Sequence, residues 1–141
     1  MGKQKGLPLF NGHLEKLKAV FTELPHKAGQ IAVNHSHKNF ENQSFSNGGN
    51  SSKWDARKKT DKGRGLLTKS GDLRASVDYE AGVMQVSISS DKPYAQVHNE
   101  GGRAGRGEGF IMPKRQFMGP SEDIDDDIGE WLDRQFDSIF E

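Results

Sequence analysis

The period of the hydrophobic pattern changes twice along this chain, and no other feature constrains the fold as much. Leu14, Leu17, Phe21 and Leu24 recur three and four residues apart, the spacing of one buried helical face. Val77 and Tyr79, and then Met84, Val86 and Ile88, alternate with their neighbours as half-buried strands do. Helical spacing returns through Ile124, Ile128, Trp131 or Leu132, Gln135, Phe136 and Ile139. Helices, then strands, then a helix predict an α+β domain: N-terminal helices and an acidic C-terminal helix packed on a small antiparallel β-sheet. With 141 residues, one domain over 1–141 is expected.

Local signals place the boundaries. Asn11 can cap the first helix, and Pro25 is expected to end, kink or restart it, because proline lacks an N–H and restricts the residue before it. A weaker stripe of Ala28, Ile31 or Ala32, His35 and Phe40 predicts a second helical stretch from His26 to about Phe45. Ser46–Ser52 reads as a flexible loop by composition, and flexibility is expected over 46–66 and again over the glycine-rich 99–109. Ser70 or Asp72 can cap a short turn carrying Leu73 and Arg74. A hairpin turning at Glu80-Ala81-Gly82 follows, with Gly82 free to take positive φ. Tyr94–His98 reads as a helical turn and Phe110–Met112 as a short strand stopped by Pro113. Ser121 is the N-cap of the last helix, with Glu122 and Asp123 in its first turn, where anions suit the helix dipole.

A net charge of zero hides a polarity. Residues 1–70 hold 13 Lys and Arg against 5 Asp and Glu, a net +8, and residues 71–141 hold the opposite, −8. Such asymmetry implies either two solvated faces or a partner, a polyanion or the opposite half of another copy. Only 32% of residues are hydrophobic, so much of the chain must be solvated or covered by other molecules. There is no cysteine, which removes disulfides and thiolate metal sites. No apolar run follows the basic Met1–Gly6, so no signal peptide is expected, and no stretch nears the ~20 apolar residues that span a bilayer. The expected setting is the cytoplasm, without a membrane partner.

Candidate chemistries fall short on spacing. Gly101–Gly109 suggests a phosphate loop, but that motif ends in Gly-Lys-Ser/Thr and opens a helix, whereas here Phe110 starts a strand. His13, His26, His35, His37 and His98 have no carboxylate or cysteine at ligand spacing and read as surface histidines, with His98 a hydrogen-bonded structural one beside a turn. Asp125, Asp126 and Asp127 point around a helix and do not converge. Ser70 and Ser76 have no partner base and no nucleophile elbow. The expectation is a non-enzymatic protein with no metal or cofactor. The segment 53–69 is the polyanion candidate: Lys53, Arg57, Lys58, Lys59, Lys62 and Arg64 can neutralise phosphates, and Trp54 can stack on a base.

Three motifs remain. They run Leu67-Thr68-Lys69-Ser70-Gly71-Asp72-Leu73-Arg74-Ala75-Ser76, Pro93-Tyr94-Ala95-Gln96-Val97-His98-Asn99-Glu100-Gly101-Gly102 and Met112-Pro113-Lys114-Arg115-Gln116-Phe117-Met118-Gly119-Pro120. Each reads as architecture: a helix start, a turn into a glycine loop, and a strand entering a helix. Together they resemble the phage virion morphogenesis family, the tail-completion proteins of Mu-like and related tailed phages, over roughly residues 10–140. The matching positions are Leu67, Ser70, Gly71, Leu73, Arg74 and Ser76, then Tyr94, Ala95, His98, Gly101 and Gly102, then Pro113, Arg115, Phe117 and Gly119. Phe40, Phe45 and Trp54 fit the family's approach to the first motif.

The resemblance implies a structural virion protein at the head–tail joint or tail end, a completion factor, terminator or neck connector. Relatives of this kind assemble as rings, commonly six-fold, around the channel through which DNA passes. Its partners would be copies of itself, other connector or tail-tube proteins and, non-specifically, DNA. It would be assembled in the bacterial host cytoplasm and end in the virion. The motif residues would then be structural or interface positions, with Arg74 and Arg115 holding carbonyls or carboxylates and Tyr94 and His98 pinning the loop base. A DNA-binding accessory protein using residues 53–69 is the alternative.

Overall fold

The computed structural model describes residues 6, 12–56, 67, 71–105, 107 and 109–141. Its spine is one helix, α1 (His13–Asn42), of 30 residues and about 45 Å. The break expected at Pro25 does not occur: the proline sits inside the continuous helix, and there is no second helix from His26. An internal proline costs about 3 kcal/mol through its lost hydrogen bond and ring clash. Packing on both sides offsets that cost, because α1 lies along most of the other elements and Pro25 itself is buried. The N-cap is Gly12 at φ 87°, with no side-chain cap, and the expected cap Asn11 lies outside the described residues. At the other end Gln43 turns left-handed, φ 52°, and its N–H reaches Asn39 O.

Among the described residues, the expected small antiparallel sheet takes the form of three separate two-stranded antiparallel hairpins. In the first, β1 (Ser44–Asn47) pairs with β2 (Asn50–Lys53), so Ser46–Ser52 is a hairpin and not the loose loop its composition suggests. In the second, β3 (Asp78–Gly82) pairs with β4 (Gln85–Ser89), Tyr79 facing Ile88 and Ala81 facing Val86. Here Glu80, Ala81 and Gly82 are all paired; the turn is Val83-Met84, and Met84 rather than Gly82 takes positive φ, 51°. Within the glycine-rich stretch, where flexibility is expected, β5 (Gly102–Ala104) pairs with β6 (Phe110–Met112).

Three helices complete the described elements: α2 (Asp72–Ser76), α3 (Ala95–Glu100) and α4 (Glu122–Phe140). Asp72 is not the cap of α2; Gly71 takes that position, through its backbone at φ 76°, and Ser70 lies outside the described residues. Ser121 caps α4 as the sequence predicts, its Oγ accepting from Asp123 N at 3.1 Å.

Helix α1 carries two apolar centres. Towards its N-terminal half, Val20 meets Trp131 and Ile139 of α4, flanked by Leu17, Leu24, Leu132 and Phe136. Towards its C-terminal half, Phe40 gathers Trp54, Leu73, Val77, Ala95 and Phe117. Between them α1 rests on the β3–β4 hairpin at Gly29, where an added Cβ would lie 2.3 Å from the Tyr79 ring. Only a residue without a side chain allows so close an approach.

Candidate functional site

The three sequence motifs converge on the C-terminal half of α1. Their common centre is residues 114–118, a stretch of backbone in neither helix nor strand, in which Phe117 is completely buried. Such a stretch must find its hydrogen bonds outside regular ladders, and it finds them on two sides.

From the second motif, His98 O accepts from Arg115 N at 2.8 Å. The Asn99 Oδ1 atom accepts from both Phe117 N (2.9 Å) and Met118 N (3.1 Å). Gly101 closes α3 at φ 74° beside this segment, and a Cβ there would meet Lys114 N at 2.9 Å. Both the positive φ and the close approach therefore require glycine at 101.

From the other side, the Trp54 indole donates to Gln116 O at 2.8 Å. Arg115, though buried, donates from Nε (3.1 Å) and an Nη (3.0 Å) to Asp55 O. Asn39 of α1, 2% exposed, donates to Phe117 O at 3.1 Å and accepts from Ser46 N at 3.2 Å. The first motif joins through Leu73 in the same apolar centre. Arg74 pairs with Glu41 of α1 at 2.7 Å, and His37 Nε2 donates to Arg74 O at 3.1 Å. Pro113 follows the end of β6, and Gly119 lies where a Cβ would crowd the Gln116 amide.

The β1–β2 hairpin bolts the start of α4 to α1. Ser46 O accepts from both His35 Nε2 (2.8 Å) and Ser121 Oγ (2.7 Å), and Ser46 Oγ donates to Asp123. Asn47 Oδ1 accepts from Glu122 N at 2.8 Å, satisfying a donor at the helix start. His35 is thus buried and hydrogen-bonded, not the surface histidine its polar surroundings suggest. Beyond this bolt the α1–α4 seam opens into a polar cleft of about 460 Å³, with Asn34, His35 and Lys38 on one wall and Asp123, Asp126 and Glu130 on the other.

His98 differs from the expected hydrogen-bonded histidine. Its ring meets Tyr94 edge-on at 5.9 Å, and among the described residues its buried Nδ1 has no hydrogen-bond partner. Burial, and secondarily the positive Arg115, lowers its pKa from the ordinary 6.5. The unfolded chain therefore binds more protons than the folded one below pH 6.5. The stability this group contributes is complete above pH 6.5 and is lost as the pH falls towards the depressed folded value. Urea melts across that window should show the acid-side decline in the parent chain and a flatter profile in His98→Gln. Identical slopes in the two would refute this role for the ring.

Of the basic segment, Lys53 is exposed on β2, while Arg57, Lys58, Lys59, Lys62 and Arg64 lie outside the described residues. Trp54 is not available to stack on a base. It is 5% exposed, edge-on to Phe40 at 5.6 Å and hydrogen-bonded through its indole. Sequence reasoning also passes over Asn39 and Asn99, whose polar side chains hold the segment at 114–118. Asn99 lies within the second motif and Asn39 beside Phe40, but neither position reveals the partner, which is 18 residues away for Asn99 and 78 for Asn39. Among the described residues no three His, Cys, Asp or Glu side chains gather to hold a metal, and no helix is long and apolar enough to cross a membrane.

The class of protein is set by what the motifs do: they are the joints of a structural α+β domain. The chain belongs to the phage virion morphogenesis family, whose sequence profile matches residues 8–137. It is also similar to the Mu-like prophage FluMu G protein 2 of Haemophilus influenzae, at 35% identity over 52 residues, 37% of this chain and 38% of that protein. The match thus spans well under half the length of that relative. No solved structure matches it significantly. Family membership gives the protein a structural role in phage virion morphogenesis.

Proposed function

We propose that the protein completes the head–tail joint or the tail end, as a completion factor, terminator or neck connector. It does so by closing with copies of itself into a ring, six-fold by preference, around the DNA channel. The observation that carries this reading is the division of charge. Asp125, Asp126, Asp127, Glu130, Asp133 and Asp137 line α4, and none is ion-paired within the described residues. The first half of the chain is as basic as the second is acidic. Opposite charge on two parts of one chain suits head-to-tail contact between identical subunits, which closes when the rotation permits. Other connector or tail-tube proteins would meet the ring's two faces, and its final location would be the virion.

Light scattering on the purified protein tests the assembly, and a phage lacking the gene tests the role. The expected results are a discrete oligomer that weakens as salt screens its exposed charges, and particles with unjoined or incomplete tails. A monomer at every concentration, together with normal tails from the deletion phage, would refute both. The DNA-binding alternative is separated by neutralising Arg57, Lys58 and Lys59. If that reading holds, DNA affinity should fall sharply and its salt dependence flatten; if DNA is not bound even at low salt, the alternative is lost.

A further inference from the structure

One side of the α1–α4 seam carries an apolar furrow that the fold leaves open. On α1, Leu14 is 48% and Phe21 42% exposed; on α4, Phe140 is 54% exposed. Phe21 meets Phe136 edge-on at 6.4 Å and His13 meets Phe140 at 5.0 Å, so the two helices flank the furrow together. Helical spacing continues it, from Phe21 to Pro25 on α1 and from Phe136 back through Leu132 to Ile128 on α4. It ends in a pocket of about 190 Å³ lined by Leu24, Ala28, Met84, Gln85, Val86 and Ile128. A contiguous apolar strip left in water, in a chain only 32% hydrophobic, marks an interaction surface.

We infer that this furrow takes the segment Leu7-Pro8-Leu9-Phe10 of a neighbouring copy. The pairing rests on the ring reading above and names one contact that makes the ring. Composition selects the segment. Outside the described residues, large apolar side chains cluster only here; Met1 and Leu66 stand alone. Position agrees, because the segment joins the fold at Gly12, beside His13 and therefore at the open end of the furrow. Two observations assign it to a neighbour. Gly6, which precedes it, is exposed, and a Cβ added there would meet nothing within 4 Å, so the chain at that point stands clear of its own fold. The second is reach. From Leu7 to Gly12 a fully extended chain spans ~17 Å. Leu24 and Ala28 of the pocket lie ~18 and ~24 Å along α1 from Gly12. A copy's own segment therefore falls short of the pocket, and a neighbour's has no such limit. Because segment and furrow are different patches of one chain, the contact is head-to-tail, the kind that propagates until a ring closes.

The chain has no cysteine of its own to interfere with a cross-linking test. Leu9→Cys and Met84→Cys, singly and together, are treated with a short bifunctional thiol cross-linker at concentrations where scattering reports on the parent chain. The double variant should form covalent multimers whose linked peptides carry positions 9 and 84, while each single variant stays monomeric on a denaturing gel. Multimers from either single variant would mean a symmetric contact and overturn the pairing. A link within one chain would return the segment to its own fold and overturn the assignment to a neighbour. A second variant, Leu9→Ser with Phe10→Ser, should leave the circular dichroism unchanged and raise the concentration of half-dissociation about tenfold or more. An oligomer that neither cross-links nor weakens would overturn the pairing and leave the ring standing. A parent chain that is monomeric throughout would remove both. Treated in assembled particles, Leu9→Cys joined to a different virion protein would overturn the pairing and assign the segment to that partner instead.

Discussion

Phe117→Ala should lower the unfolding free energy by about 3–5 kcal/mol, the usual cost of emptying a fully buried phenylalanine site. Against a typical domain stability of ~5–15 kcal/mol, that is a large share. The effect should fall at the high end for a local reason. Phe117 lies 5.0 Å ring to ring from Phe40, within a cluster drawn from α1, α2, α3 and the residue after β2. Its own backbone is held at both N–H and C=O by side chains, Asn99 and Asn39. The site therefore cannot collapse without breaking those bonds. Urea denaturation followed by tryptophan fluorescence measures it directly, since Trp54 packs on the same Phe40. A loss below about 1 kcal/mol would show that the site relaxes freely and that residues 114–118 are not the centre of the fold.

Asn39→Leu should be nearly as damaging despite adding apolar surface to a buried site. The substitution keeps the approximate shape and removes three hydrogen bonds, those with Phe117 O, Ser46 N and, at 3.4 Å, His35 Nδ1. Phe117 O loses the Asn39 donor and Ser46 N loses its acceptor, in a place where the side chain is almost wholly buried. A buried polar group left unmatched costs about 1–3 kcal/mol, and here two backbone groups and the His35 Nδ1 atom lose their partner. Asn39→Asp retains the acceptor for Ser46 N, loses the donor to both Phe117 O and His35 Nδ1, and sets a buried carboxylate against the Phe117 carbonyl. Equilibrium melts of the two variants should show a cooperative loss in both. An Asn39→Leu chain as stable as the parent would mean that both backbone groups find other partners, and the polar tie across α1 would lose its structural importance.

Much of the architecture is legible because it is written in local pattern. The α4 helix follows from Ser121, the acids after it and the spacing of Ile128, Trp131 and Ile139. The arms of the second hairpin follow from alternation, with Tyr79 opposite Ile88. Its turn does not follow. Glycine at 82 signals a turn, but the register places the reversal at Val83-Met84, whose apolar side chains carry no turn chemistry. The β1–β2 hairpin is hidden for the opposite reason. Its Ser, Asn and Gly composition is that of a loop, and what holds it is the burial of Phe45 and the bonds from His35 and Ser121 to Ser46 O.

Of the candidate site, the motif residues are visible as a set, but what they grip is not. Arg115 can be marked as a positioning group, yet its acceptor, Asp55 O, lies 60 residues earlier. Trp54 reads as a stacking residue because its neighbours in sequence are basic, while its neighbours in space are Phe40 and Gln116 O.

By itself, then, the sequence determined the elements whose stability is local: the capped, amphipathic α4, the alternating arms and the opposite charge of the two halves. The expected buried face of α1 is only half right: Leu14 and Phe21 are exposed, and Val20 is the buried residue between Leu17 and Leu24. Tertiary structure decided the continuity of α1 through Pro25, the existence of the first hairpin and the convergence of three motifs on Phe117. The physical reason is range. Periodicity, capping and charge act between residues a few positions apart, whereas burial and hydrogen bonds to irregular backbone depend on groups brought together only when the chain has folded.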